Sequence, residues 1–218
     1  MLADRLKTLA PSSTLAVQAK AKELRARGVD VISFGAGEPD FDTPQRIKDA
    51  AVEAMRRGQT KYTEVGGILE LRAAVCAKLK RDNGLDYEPA DVVISCGAKH
   101  TLFNVAVALL NPGDEVLIPS PYWVSYPEQA RLVDAVPVPV ATEEATGFDL
   151  DPERLRAAVT PRTKVIVLNS PNNPTGAVFS RETVEAVARL AVERGLWVVS
   201  DECYEALTFE GRHLSIAS

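Results

Sequence analysis

No apolar stretch in this chain approaches the ~20 uninterrupted residues that a membrane-spanning helix needs. The first ten residues, MLADRLKTLA, also lack the apolar core of a secretory signal. The expected compartment is therefore the cytoplasm, with no membrane partner. Histidine is scarce: His100 and His213 are the only two, and neither has the spacing of a metal site or a catalytic triad. Both are expected at the surface or at helix ends. Cys76, Cys96 and Cys203 are odd in number and scattered, which fits neither a zinc site nor a secreted disulfide framework; reduced core thiols are expected. A formal net charge of −5 leaves no broad basic field, so nucleic acid is not an expected partner, although a local anion pocket stays open. The nucleotide fingerprints G-x-G-x-x-G and G-x-x-x-x-G-K-[ST] are absent, since G-A-G-E-P at 35–39 runs into a proline turn. With 218 residues, 46% of them hydrophobic and 25% charged, the chain is of ordinary globular composition and long enough for a sizeable core.

Residues 14–27 read as a helix, with Ser13 or Thr14 as cap and Gly28 as stop. A short apolar run then meets Gly35, Gly37, Pro39 and Pro44, which is loop chemistry. A second helix is predicted from near Pro44 to before Gly58. A third runs from about Ile68 to Asn83, with Ile68, Leu71, Val75 and Leu79 on one face and Gly84 as its stop. From residue 91 onward, β-rich runs alternate with helical stretches: VVISC then 99–110, EVLIP then 123–132, VPVPV then 152–159, KVIVLN at 164–169 then 181–194, and finally LWVVSD at 196–201. Runs apolar on both faces and separated by helices predict an α/β fold, a mostly parallel sheet with helices on both faces. Trp197 is expected in its core. In such sheets ligands sit at the carboxyl ends of the strands, so the residues following each run carry the functional interest.

After VVISC comes Gly97-Ala98-Lys99, a small-residue turn opening a helix. Such a turn exposes backbone N–H groups and the positive end of the helix dipole to an anion. The same residues also suit a plain tight turn with an exposed lysine. The segment S-P-N-N-P-T-G at 170–176 is more restrictive, because two prolines and a glycine fix the backbone around two adjacent amides. Asn172 reads as an Asx-turn residue satisfying local backbone, whereas the Asn173 amide is able to donate to an oxygen of a bound ring. The last run delivers Asp201, Glu202 and Tyr204 at its carboxyl end. A carboxylate there is costly unless something positive meets it. For Glu202 the expectation is a cap or an ion pair; for Asp201 it is the cationic ring nitrogen of a cofactor, with a structural cap as the alternative.

Five ordered motifs carry a family resemblance: G-A-G-E-P-D-F-D-T-P at 35–44, K-Y-T at 61–63, S-P-Y-W-V-S-Y-P at 120–127, S-P-N-N-P-T-G at 170–176 and S-D-E-C-Y at 200–204. From about Thr14 to Ser218 the chain resembles the class I, fold-type I aminotransferases that use pyridoxal 5'-phosphate, the bacterial aspartate aminotransferases in particular. The resemblance implies residues 1–41 as an N-terminal arm and the start of a small domain. Residues 42–218 would then be a partial cofactor-binding large domain, incomplete at its C-terminus. It implies that Asp201 pairs with the protonated pyridine nitrogen, that Asn173 and Tyr204 bond the ring's phenolic oxygen, and that Trp123 stacks on the ring. Gly97, Ala98 and Lys99 would hold the phosphate, which Tyr62 would reach from the other subunit of a homodimer. Gly37 would offer its backbone N–H to the substrate carboxylate, with Trp123 and Asn173 also near the substrate. Ala10 stands where some relatives carry a basic residue.

The family's chemistry needs a lysine that forms a Schiff base with the cofactor, and no lysine follows Lys164. The expectation is thus a fragment of an aminotransferase, inactive alone, with aspartate or glutamate and a 2-oxo acid as the substrate class. Alanine or aromatic aminotransferases and β-lyases remain alternatives within the fold. A non-catalytic aminotransferase-like sensor module is the alternative outside it, disfavoured because no winged-helix region precedes Gly35.

Overall fold

The computed structural model describes residues 3–7, 9, 13–35, 37 and 41–218, without the side chains of residues 13 and 14. The chain forms two compact units, one of Ala10–Ile68 and one of Met1–Leu9 with Leu69–Ser218. The first unit carries α1 (Ser13–Ala26) and α2 (Gln45–Arg56), both within two residues of their predicted limits. Gly28 donates its N–H to Arg25 O, and the Arg25 guanidinium reaches Val31 O at 3.0 Å, turning the chain at the helix end.

In the second unit the third predicted helix is α3 (Leu69–Lys78) followed by a single π-helical turn, Leu79–Asn83. Next come α4 (Ala98–Leu109), β1 (Glu115–Ser120), α5 (Ser125–Leu132), β2 (Val136–Ala141), α6 (Pro152–Ala158), β3 (Thr163–Asn169), α7 (Arg181–Arg194) and β4 (Trp197–Asp201). The sheet order is β2-β1-β3-β4, with every neighbouring pair parallel, as the alternating pattern predicts. Local chemistry sets the helix limits. Asp151 caps α6 by accepting from Glu153 N at 2.9 Å, and Ser180 caps α7 by accepting from Thr183 N at 3.2 Å. Gly195, at φ +63°, closes α7 in the left-handed region.

Alternation along β1 and β3 explains why their runs are apolar throughout. Leu117, Ile166 and Leu168 point to one face and pack with Leu155 of α6 and Val184, Val187 and Leu190 of α7. Val116, Ile118, Val165 and Val167 point to the other face and pack with Tyr126 and Ala130 of α5. Burying both faces of the central strands is the main source of stability in this unit.

One predicted strand does not form. Val92–Cys96 joins no ladder among the described residues, although Val92 has extended backbone, and Val93 is 65% exposed. Trp197, expected in the core, is 56% exposed. Its strand, β4, is the sheet edge, so one side of it has no neighbouring strand to cover it. Among the described residues no helix is long and apolar enough to cross a membrane.

Glu115 is a buried charge at the start of β1. It accepts hydrogen bonds from Thr160 Oγ1 at 2.5 Å and from Arg162 Nη2 at 2.7 Å. These bonds, that of Thr160 first, hold its carboxyl below the usual value of 4.5. A depressed carboxyl contributes stability that is fully present above the unfolded value and is lost as pH falls through the folded one. Chemical denaturation should therefore show wild-type stability falling as pH drops below about 4.5, with a shallower fall in Glu115→Gln. Parallel curves for the two proteins would remove Glu115 from the acid response.

Candidate functional site

Asp201 is the last residue of β4 and stands in register with Asn169, the last residue of β3. The Asn169 side chain joins three segments. Its Nδ2 donates to Asp201 O at 3.1 Å and to Pro171 O at 3.3 Å, while its Oδ1 accepts from Asn173 N at 2.8 Å. The loop carrying the two amides is thereby tied to the strand end that carries the carboxylate. Asp201 is half-buried. It accepts from Tyr126 Oη at 2.7 Å on one oxygen and from Cys203 N at 3.2 Å on the other. Among the described residues no cation pairs with it. Burial first, and then the charge of Asp201, pushes the Tyr126 phenol well above its ordinary range, so its hydroxyl stays protonated and donating.

Tyr126 also meets the Trp123 ring edge-on, with centroids 5.4 Å apart and planes at 83°. Lys99 Nζ lies 4.9 Å from the Trp123 centroid, within cation–π range. Lys99 belongs to the turn that opens α4, where Gly97 is the N-cap at φ +85° and offers no side-chain cap. The backbone N–H groups of Ala98 and Lys99 find no acceptor among the described residues, which leaves the positive end of a 12-residue helix open. Gln129 Nε2 donates to Lys99 O at 2.9 Å and fixes this turn to α5. Lys99, Trp123, Tyr126 and Asp201 thus form one connected series between the α4 turn and the end of β4.

Of the two amides of the 170–176 loop, Asn172 makes the turn bond expected of it. Asn172 Oδ1 accepts from Thr175 N at 3.2 Å and Thr175 Oγ1 at 2.9 Å, an internal turn bond. The Asn173 side chain is half-buried and makes no hydrogen bond among the described residues. Tyr204, also half-buried, precedes the short helical turn Glu205–Leu207 and lies near enough to Tyr126 to influence its ionisation. Gly37 and Tyr62 are exposed residues of the Ala10–Ile68 unit. Ala10 and residues 36 and 38–40 of the 35–44 motif lie outside the described residues.

Glu202 has local polar partners, as the expected cap or ion pair would require. It accepts from Ser200 Oγ at 2.7 Å and Ser215 Oγ at 2.8 Å, and faces His213 Nε2 at 3.1 Å. Glu205 is bound by Lys78 and by Asn83 Nδ2 at 3.0 Å. His213 departs from the position at the surface or a helix end expected of it: its side chain is only 8% exposed, with Nε2 facing Glu202 and Nδ1 buried without a hydrogen-bond partner among the described residues. The thiols depart in the opposite sense. All three are free, but Cys96 and Cys203 are exposed and Cys76 is intermediate, since Cys96 lies in the unpaired segment before α4 and Cys203 in the turn after β4, not on packed faces. Tyr126 and Asn169 are the candidate site residues to which sequence reading gave no role. The available signals were the placing of Tyr126 three residues after Trp123 and a polar residue ending the apolar run KVIVLN.

Residues 29–217 match the model of the aminotransferase class I and II family. An aspartate aminotransferase of Bacillus sp. (strain YM-2) is 51% identical over 218 residues, which is 100% of this chain and 56% of the relative. An aspartate/prephenate aminotransferase of Thermus thermophilus is 54% identical over 214 residues, 98% of this chain and 56% of its own length. The chain thus spans a little over half the length of these relatives. The solved structure of the Thermus thermophilus aspartate aminotransferase with maleate superposes with a TM-score of 0.96 at 53% identity, over 99% of this chain and 56% of that one. An alanine aminotransferase from Pyrococcus furiosus gives 0.95 at 34% identity, over 99% and 56%. With its parallel sheet, its helices on both faces and its matched motifs, the chain belongs to the class I and II aminotransferase family.

Proposed function

We propose that this chain carries the pyridoxal 5'-phosphate cradle of a cytoplasmic aminotransferase that exchanges an amino group between aspartate or glutamate and a 2-oxo acid. Asp201 carries the reading: a half-buried carboxylate at the carboxyl end of a parallel strand, held by two neutral donors and met by no cation among the described residues. Such a group suits a cationic ring nitrogen. The names of the Bacillus and Thermus relatives support the substrate class.

The bound cofactor supplies an electron sink for a substrate carbanion. Asp201 holds the proton at the ring nitrogen, on which that sink depends. The open N–H groups of Ala98 and Lys99, in the turn that Gly97 opens, take the phosphate. Asn173 and Tyr204 donate to the ring oxygen, and Trp123 covers the ring and excludes water. Gly37 offers its backbone N–H to the substrate carboxylate. Residues 1–41 belong to an arm and small domain and 42–218 to the cofactor domain, and Tyr62 serves the phosphate of the other subunit in a homodimer.

The reading is tested with 4-deoxypyridoxine 5'-phosphate, a ring analogue that has no aldehyde and so needs no lysine. Equilibrium dialysis should give saturable binding at one molecule per chain. Absorbance titration should place the bound ring's nitrogen ionisation lower in Asp201→Asn than in wild type. Absent binding, or an unmoved ring titration in Asp201→Asn, overturns the assignment.

A further inference from the structure

We propose that Tyr126 is a positioning residue for this site: its hydroxyl holds the Asp201 carboxylate in one orientation without neutralising it, and its ring seats Trp123. The inference rests on the cofactor reading above and adds a residue to it. Tyr126 is 5% exposed, donates to Asp201 Oδ2 at 2.7 Å and packs edge-on against Trp123 at 5.4 Å. It therefore touches both groups proposed to meet the ring, one at its nitrogen and one at its face.

The chemistry of a phenol suits that place. A lysine or arginine there would form an ion pair with Asp201 and compete with a cationic ring for the same charge. An aliphatic side chain would leave a half-buried oxygen short of a donor. A phenol supplies one hydrogen and no charge. An ionised carboxylate accepts at about four lone-pair positions, and the described residues fill two of them, through Tyr126 Oη and Cys203 N. Asp201 thus keeps both its charge and accepting capacity for one more donor. Burial, and then the charge of Asp201, raises the phenol's ionisation, so the hydroxyl is a protonated donor at neutral pH. The helix bearing Tyr126 is itself anchored, since Gln129 Nε2, one turn further on, donates to Lys99 O at 2.9 Å. The phosphate-side turn and the nitrogen-side carboxylate are in this way referenced to one helix, α5.

A buried tyrosine that merely satisfies its own hydroxyl would show the same contact, so the test must separate positioning from packing. Tyr126→Phe keeps the ring against Trp123 and removes only the donor. In the apo-protein, denaturant unfolding of wild type, Tyr126→Phe, Asp201→Asn and the double variant should show coupling between the two positions; additive effects overturn the contact and the proposal with it. With 4-deoxypyridoxine 5'-phosphate as probe, Tyr126→Phe should weaken binding about tenfold and lower the bound ring's nitrogen ionisation. Both effects should vanish in the Asp201→Asn background. Equal weakening in both backgrounds would make Tyr126 a packing residue only and overturn the proposal. If Asp201→Asn shifts the ring titration while Tyr126→Phe leaves it and the affinity unchanged, the cofactor reading stands and the Tyr126 proposal falls. If neither variant moves the probe, both fall.

Discussion

Treated with pyridoxal phosphate and then borohydride, this 218-residue chain is expected to carry no single, stoichiometrically labelled lysine, and to transaminate neither aspartate nor glutamate. The reaction needs an amine that reaches the cofactor aldehyde, and the lysines of the sheet-bearing unit are placed against that. Lys7, Lys78 and Lys80 are ion-paired with Asp4, Glu205 and Asp86. Lys164 is the second residue of β3, while Asn169, which faces Asp201, is its last. At ~3.3 Å per residue, the five steps between them put Lys164 roughly 16 Å from the site edge. Lys99 is the nearest candidate, yet its ammonium sits 4.9 Å from the Trp123 ring, at the turn assigned to the phosphate. Peptide mapping after reduction checks the labelling, and a coupled assay checks the turnover. A dominant adduct on one lysine, Lys99 above all, would place the nucleophile within this chain and overturn the expectation.

The sheet was legible because β1, β3 and their flanking helices bury both faces, and a strand covered on both sides announces itself as a continuous apolar run such as EVLIP or KVIVLN. The same rule misled at VVISC. Apolar, β-branched sequence reports that a segment would pair well, whereas a strand exists only where another backbone offers its N–H and C=O groups. Val92–Cys96 finds no such neighbour among the described residues. Trp197 shows the edge version of this limit: local sequence does not say which strand lies outermost, and so does not say which large side chain remains open.

In the site, the residues found from sequence are those whose meaning is local. Gly97 opens a helix, Asn172 closes a turn and Asp201 ends an apolar run, and each feature is complete within a few residues. The residues missed act across the fold. Tyr126 bonds a residue 75 positions away and Asn169 one 32 positions away, and no periodicity encodes such pairings. His213 makes the same kind of contact, its Nε2 facing Glu202 on another segment.

The second large effect is expected at Asp201 in a longer protein, made by joining this chain to the unmatched remainder of the Thermus thermophilus relative, of which it covers 56%. That chimera should transaminate aspartate. Asp201→Asn within it should lower turnover on the order of 10³-fold, or about 4 kcal/mol of transition-state stabilisation. Asparagine is nearly isosteric: its Oδ1 can still accept from Cys203 N and its Nδ2 can donate to Tyr126 Oη, so the substitution removes charge and leaves the packing of β4 in place. Without that charge no group of the proposed site would hold a proton at the ring nitrogen, and the electron sink that the cofactor would supply would be weakened. The loss should therefore fall on kcat more than on KM, because the role proposed for Asp201 is at the ring nitrogen and not at the substrate's own carboxylates. Asp201→Ala should lose at least as much, since it also leaves the buried Tyr126 hydroxyl without its acceptor. Steady-state kinetics with circular dichroism on each variant separates these effects from misfolding. Near-normal turnover in Asp201→Asn would make the residue a structural cap at the end of β4 and withdraw it from the chemistry.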